Sequence, residues 1–346
     1  MTASGTESGM TWPVRDGVFL LGDLPLHRGG TLVDARIAWR AHGTLAPARD
    51  NAVLFPTAFG AHPSDLEWLI GPQGILDPTR WFIVIPGMFG NGLSSSPSNS
   101  AAWPRLVTHW DNVAAQRRLL TELFGIDRLH AVYGNSMGAQ QAYHWGAAYP
   151  QDVARIVAIC GSARTSVHNR VFLAGLMATL EAAPEYDGTA LFRAQPHAAL
   201  RAFGRIYAGW WLSQDFYRAG LHLSALNAPD LDTFMRVDAE DRFSRRAAAD
   251  LLAQLRTWNA ADIADHPRHG GDLSRALAAI EARVLLLPCE TDLYFRVADN
   301  AAELAHLKHG TLTPIPSIWG HRAGNPAANP EDAAFIRREV RAFLED

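Results

Sequence analysis

The chain has 346 residues, of which 48% are hydrophobic, 10% aromatic and 19% charged, and its formal net charge is −4. That much apolar material exceeds the core of one minimal domain, so one large domain with an inserted subdomain is expected. A negative chain without a clustered basic run gives nucleic acid and anionic membranes no electrostatic hold, and no apolar stretch approaches the ~20 residues that span a bilayer; a small molecule is the expected partner.

Residues 1–11, rich in Ser, Thr and Gly, read as a disordered tail without the basic start and apolar centre of a secretory signal, which makes the cytoplasm the expected location. Residues 12–164 and 273–346 read as one core. In it the short apolar runs Asn51–Pro56, Trp81–Pro86, Leu129–Tyr133 and Arg155–Cys160 look like strands buried on both faces, which implies a parallel sheet with crossover helices. Between the second and third runs, Asp111 is placed to cap a helix with Val113, Leu119, Leu120 and Leu123 on its apolar face and Gly125 at its end. Residues 165–272 show no strand pattern and are rich in Ala, Leu and Arg, with Trp210, Trp211, Phe216 and Tyr217 among them, so they read as a helical insertion. The alternation resumes with a strand at Arg283–Cys289, a helix from about Val297 to Lys308, a strand at Thr311–Ser317 and a last helix from about Pro330 to Leu344. Cys160 and Cys289 each end a strand-like run and read as buried free thiols.

Gly134-Asn135-Ser136-Met137-Gly138 lies between the run Leu129–Tyr133 and a helical stretch that Pro150 terminates, which is the strand-turn-helix setting a G-x-S-x-G nucleophile elbow requires. Ser136 is the candidate nucleophile, and the N–H of Met137, at the positive end of the following helix, is the first candidate donor to an oxyanion. A serine needs a base, and the base needs an orienting acid. His321 follows Thr311–Ser317 and Asp292 follows Arg283–Cys289, where the carboxyl ends of parallel strands gather catalytic groups; Glu290 competes with Asp292 for the acid. The second oxyanion donor is expected in Thr57-Ala58-Phe59-Gly60, from Phe59 N–H first and Ala58 next.

Several segments together resemble the homoserine O-acetyltransferase family, including its esterase relatives: Ala38-Trp39-Arg40-Ala41-His42-Gly43-Thr44-Leu45, Asn51-Ala52-Val53-Leu54, Trp110-Asp111-Asn112-Val113 with Gln116, the elbow with Gln140, Thr291-Asp292-Leu293-Tyr294-Phe295, and Gly320-His321. The resemblance covers most of the chain from Val33 to Leu344. It implies an α/β-hydrolase fold with a helical lid after the sixth strand, favours Asp292 over Glu290, and suggests a homodimer. It also implies that the loop Pro86–Pro97 lines the pocket. Two departures stand out. Ala139 replaces the elbow's usual second glycine, and an ungapped alignment from Ser162-Ala163-Arg164 puts Met177 where the amino-acid acetyltransferases carry a carboxylate-binding arginine. Losing one half of such a desolvated pair costs about 2–5 kcal/mol, which argues against homoserine as substrate.

The expected activity is hydrolysis of short acyl, acetyl-type esters through an acyl-enzyme, without a cofactor. Met177, Trp210, Trp211 and Tyr217 are the candidate substrate contacts, although the aromatics serve equally well to pack the lid on itself. The runner-up is acyl transfer from a CoA thioester such as acetyl-CoA to a hydroxyl compound other than homoserine. Two further alternatives are an elimination or ring-forming step and a non-catalytic binding relative. The pairs His266/His269 and His306/His309 lack the spacing and partners of a metal site, so no metal is expected. His306-Leu307-Lys308-His309, which holds the only lysine, reads as a helix end, and Arg242, Arg245 and Arg246 form a local basic group that reads first as a solvated helix face and second as a contact for an anionic substrate or CoA phosphates.

Overall fold

The computed structural model describes residues 11–346, so the expected tail lies outside the described residues except for Thr11. Eight strands among them form one sheet: β1 (Val14–Pro25), β2 (Thr31–His42), β3 (Ala52–Leu54), β4 (Phe82–Pro86), β5 (Ala131–Asn135), β6 (Arg155–Ile159), β7 (Arg283–Leu287) and β8 (Gly310–Leu312). Their spatial order is β1-β2-β4-β3-β5-β6-β7-β8. β1 and β2 are antiparallel to their neighbours, and β4 through β8 run parallel. The apolar runs are continuous because neighbouring residues serve opposite faces. Val53, Ile83 and Ile85 enter one buried cluster, whereas Leu54, Phe82 and Val84 enter the other.

Twelve α-helices complete the described residues. α1 (His109–Arg118) and α2 (Met137–Ala148) precede β6, and α3 (Val167–Glu181), α4 (His197–Trp211), α5 (Gln214–Arg218), α6 (Leu221–Ser224), α7 (Leu231–Phe234), α8 (Asp241–Ser244), α9 (Ala248–Asn259) and α10 (Leu273–Ala278) lie between β6 and β7. α11 (Val297–Leu304) and α12 (Pro330–Glu345) close the chain. From 165 to 272 the described residues contain no strand, only an isolated bridge between Tyr186 and Phe192 and one from Asp262 to Arg164.

Several local expectations shift. Thr108, not Asp111, is the N-cap of α1; Asp111 is the reciprocal partner of a capping box, its carboxylate accepting from Thr108 N–H at 2.6 Å. Gly125 closes the π-helical continuation Leu119–Phe124 in the left-handed conformation, φ 65°. The run Thr311–Ser317 pairs only over its first residues, after which Ile315 bridges Cys289. α11 ends at Leu304, so His306–His309 occupy the turn beyond it, where Lys308 bonds Glu281. β1 and β2 form a half-exposed edge hairpin that apolar runs do not announce.

Candidate active site

Ser136 sits between β5 and α2 with φ 56° and ψ −126°, a conformation costly for a residue with a Cβ. The surrounding glycines permit it. A Cβ on Gly134 would stand 2.2 Å from Gly138 O, and one on Gly138 2.6 Å from Pro56 O. Gly161 makes room for Ala139, whose Cβ would otherwise lie 2.4 Å from its neighbour's.

Asp292 and His321 leave the sheet at the ends of β7 and beyond β8. Thr291 Oγ1 ties the two loops, donating to Ser317 O at 2.8 Å and accepting from Gly320 N–H at 3.1 Å. The Asp292 side chain is fully buried. Its Oδ1 accepts from the N–H groups of Tyr294 and Phe295 at 3.0 and 3.1 Å, and its Oδ2 lies 2.7 Å from His321 Nδ1. Glu290 is exposed. Gly320, at φ 59°, lets the histidine loop run against the lid, since a Cβ there would stand 2.9 Å from Trp211 O and Ser213 N. The ring of Tyr294 covers His321 with centroids 4.4 Å apart, and burial pushes the Tyr294 hydroxyl up, so it stays a protonated group. Cys160 Sγ lies beside the pair, with ligand atoms of all three residues within 4.8 Å of one another, but His321 Nδ1 and Asp292 Oδ2 are already engaged with each other. Burial pushes the Cys160 thiol well up.

Ser136 and His321 open into one cavity of about 560 Å³, whose wall also includes Ala58, Phe59 and Trp211. Thr57 N–H donates to Pro86 O at 3.3 Å and Gly60 N–H to Gln254 Oε1 at 2.7 Å, which commits the amides on either side of Ala58 and Phe59. The Met137 side chain is buried in the core; its amide follows Ser136 directly. Of the remaining candidate contacts, Trp210 stacks on Phe172 at 4.7 Å and Tyr217 O–H donates to Ala208 O at 2.7 Å. Both, with Met177 on α3, lie outside the cavity wall. Phe216 is buried against Trp319. The loop Pro86–Pro97 also stays off that wall and folds into its own network, Ser94 Oγ donating to Gly87 O at 2.7 Å and Asn91 Oδ1 accepting from Ser94 N–H at 2.9 Å. Tyr207, Asp238, Phe243 and Arg322 reach the cavity without having been singled out in the sequence, and Arg242, Arg245 and Arg246 line it too, with Arg242 and Arg245 exposed.

Comparison with known proteins follows this geometry. Residues 51–204 match the family model described as alpha/beta hydrolase fold. Over 311 residues, 87% of each chain, the protein is 35% identical to the ethyl acetate hydrolase of Pseudomonas veronii. The chain belongs to the α/β-hydrolase family. This hydrolase is also 28% identical to the homoserine O-acetyltransferase of Pasteurella multocida over 94% of its own length and 97% of that protein's. Among solved structures it superposes on the acetyl esterase MekB with a TM-score of 0.92 at 31% identity, covering 96% of this chain and 97% of that one. The hydrolase thus lies among the homoserine acyltransferases and their esterase relatives, as the segment resemblance implies. No helix among its described residues is long and apolar enough to cross a membrane.

Proposed function

We propose that the protein hydrolyses short acyl, acetyl-type esters through a Ser136 acyl-enzyme. The observation that carries this reading is the 2.7 Å contact between His321 Nδ1 and the buried Asp292 carboxylate, in a histidine that shares a cavity with Ser136. With Nδ1–H donated to Asp292, the Nε2 lone pair is available to take the Ser136 proton as Oγ attacks the ester carbonyl. The carbonyl oxygen gains charge and is held by Met137 N–H and by Phe59 N–H or Ala58 N–H, the uncommitted amides of their loop. Collapse breaks the bond to the alcohol oxygen, which leaves with the proton from His321. Water then attacks the acyl carbon, His321 takes its proton, and Ser136 is regenerated with release of the acid.

Water as second nucleophile is supported by the 35% identity to an ethyl acetate hydrolase. The test is hydrolysis of p-nitrophenyl acetate and ethyl acetate, beside thiol release from acetyl-CoA with and without L-homoserine and L-serine. Ester cleavage that acceptors leave unchanged is the expected result, and Ser136→Ala lowers it by at least ~10³-fold. Acceptor-dependent thiol release would make the protein a transferase instead.

A further inference from the structure

The wall of the catalytic cavity carries a charge opposite in sign to the chain. Arg242, Arg245, Arg246 and Arg322 line it against only two acids, Asp65 and Asp238, in a protein whose formal net charge is −4. The arrangement is specific. Asp238 stands between two guanidiniums, with Oδ2 at 2.8 Å from Arg322 Nη1 and Oδ1 at 3.6 Å from Arg242 Nη2. The same two arginines lie over the Trp211 ring, with Cζ atoms 5.5 and 4.7 Å from its centroid. Arg246 is held by Asp65 and by Gly60 O, each at 2.7 Å, and Arg245 has no acidic partner among the described residues. Arg322 keeps only 18% of its side chain exposed, so its charge is largely removed from water while its carboxylate partner is shared with a second cation. Burial pulls its guanidinium down from the ordinary value, with Asp238 acting against the shift.

We propose that these arginines bind an anionic group on the alcohol portion of the ester, so that the substrates are acetyl-type esters of hydroxy acids or of phosphate-bearing alcohols. The proposal rests on the hydrolase reading above and narrows its substrate class. An excess of two positive charges in a walled cavity concentrates anions there, and planar guanidiniums match carboxylate and phosphate oxygens. The alcohol side follows from the chemistry. His321 must reach the departing alcohol oxygen to protonate it, and Arg322 is the next residue in the chain and lines the same cavity.

The experiment compares matched pairs at ionic strengths of about 20 and 500 mM, 3-acetoxypropanoate against its methyl ester and acetylglycerol phosphate against acetylglycerol, the two pairs separating carboxylate from phosphate. At low salt the anionic member of at least one pair is expected to show a kcat/KM at least ~10-fold higher, the advantage shrinking at high salt. Arg322→Met should reduce that ratio by ~10-fold or more, and so should Arg242→Gln, whose side chain is 48% exposed and tolerates replacement more readily. Equal kcat/KM within both pairs, or a preference untouched by either substitution, would overturn the proposal. Calorimetric binding of the same pairs to Ser136→Ala separates the two readings. Tighter binding of the anionic ester without turnover by the unmodified protein would sink the hydrolase reading and leave the anion site standing; equal binding would sink the anion site whatever the turnover.

Discussion

Asp292 and Glu290 are two residues apart and differ in everything that matters to a histidine. The first is buried, accepts two backbone N–H groups and meets His321 Nδ1; the second faces water. Asp292→Asn should lower kcat by about 10³–10⁴-fold, because an amide can hold the ring but favours the wrong tautomer. Glu290→Gln should leave kcat within about twofold, since an exposed carboxylate at that distance is screened by solvent. Steady-state hydrolysis of p-nitrophenyl acetate reads both, and a large loss in Glu290→Gln alone would reassign the acid. Ser136, Asp292 and His321 can be picked out as candidates in the sequence because each lies within a few residues of a strand-like segment, and the ends of parallel strands are fixed by the sheet. Arg322, Tyr207 and Asp238 cannot. For Tyr207 and Asp238, which side of a lid helix turns to a cavity is set by packing between segments distant in the chain, and no periodicity encodes it; Arg322 lies in the turn Gly320–Gly324, where no helical or strand period applies.

At the scale of elements, α11 braces the turn that follows β6. Glu303 accepts from Tyr143 O–H of α2 at 2.7 Å, from Asn300 Nδ2 at 3.0 Å and from Ala163 N–H at 2.8 Å, while Asn300 Nδ2 also donates to Gly161 O at 2.9 Å. Burial raises Glu303 from 4.5 to about 7 despite these donors. Between those values the folded chain holds a proton that the unfolded chain has released, so Glu303 makes stability fall as pH rises through that window. His144 on α2 acts the other way. Burial lowers it from 6.5 to about 4, so the unfolded chain binds the extra proton there and stability rises with pH over that range. His109, lowered by burial as well, adds to the rise. The opposing slopes offset each other between pH 4.5 and 6.5. Glu303→Gln should therefore show a steeper rise of the urea midpoint from about pH 5 to 7 than the unmodified protein; superimposable profiles would mean that Glu303 is ionised in the fold throughout. The parallel strands that support this brace are readable as continuous apolar runs, but the β1–β2 hairpin is not, because an edge ribbon exposed on much of both faces has neither a continuous run nor a clean alternation.

For the whole molecule, the helices between β6 and β7 share their apolar interior with the sheet. Val53, Ile85 and Val157 of the strands belong to the same buried cluster as Phe172, Leu251 and Trp258 of the insertion. A chain whose inserted segment owns no separate core should unfold in one step, with tryptophan fluorescence and far-ultraviolet circular dichroism giving the same thermal midpoint. Two resolved midpoints would show that the insertion melts on its own. The sequence places this insertion by its lack of strand pattern, and it cannot show the shared core, since that depends on which helix faces meet. Charge is distributed as unevenly as apolar surface. Arginine supplies nearly every cation, and the single lysine, Lys308, pairs with Glu281 just before β8, at the amino ends of the strands and so opposite the end that carries Ser136, Asp292 and His321. Any reagent or support that couples through side-chain amines therefore has one address on the folded surface, and a film tethered through it would present every copy with the mouth of the Ser136 cavity turned outward.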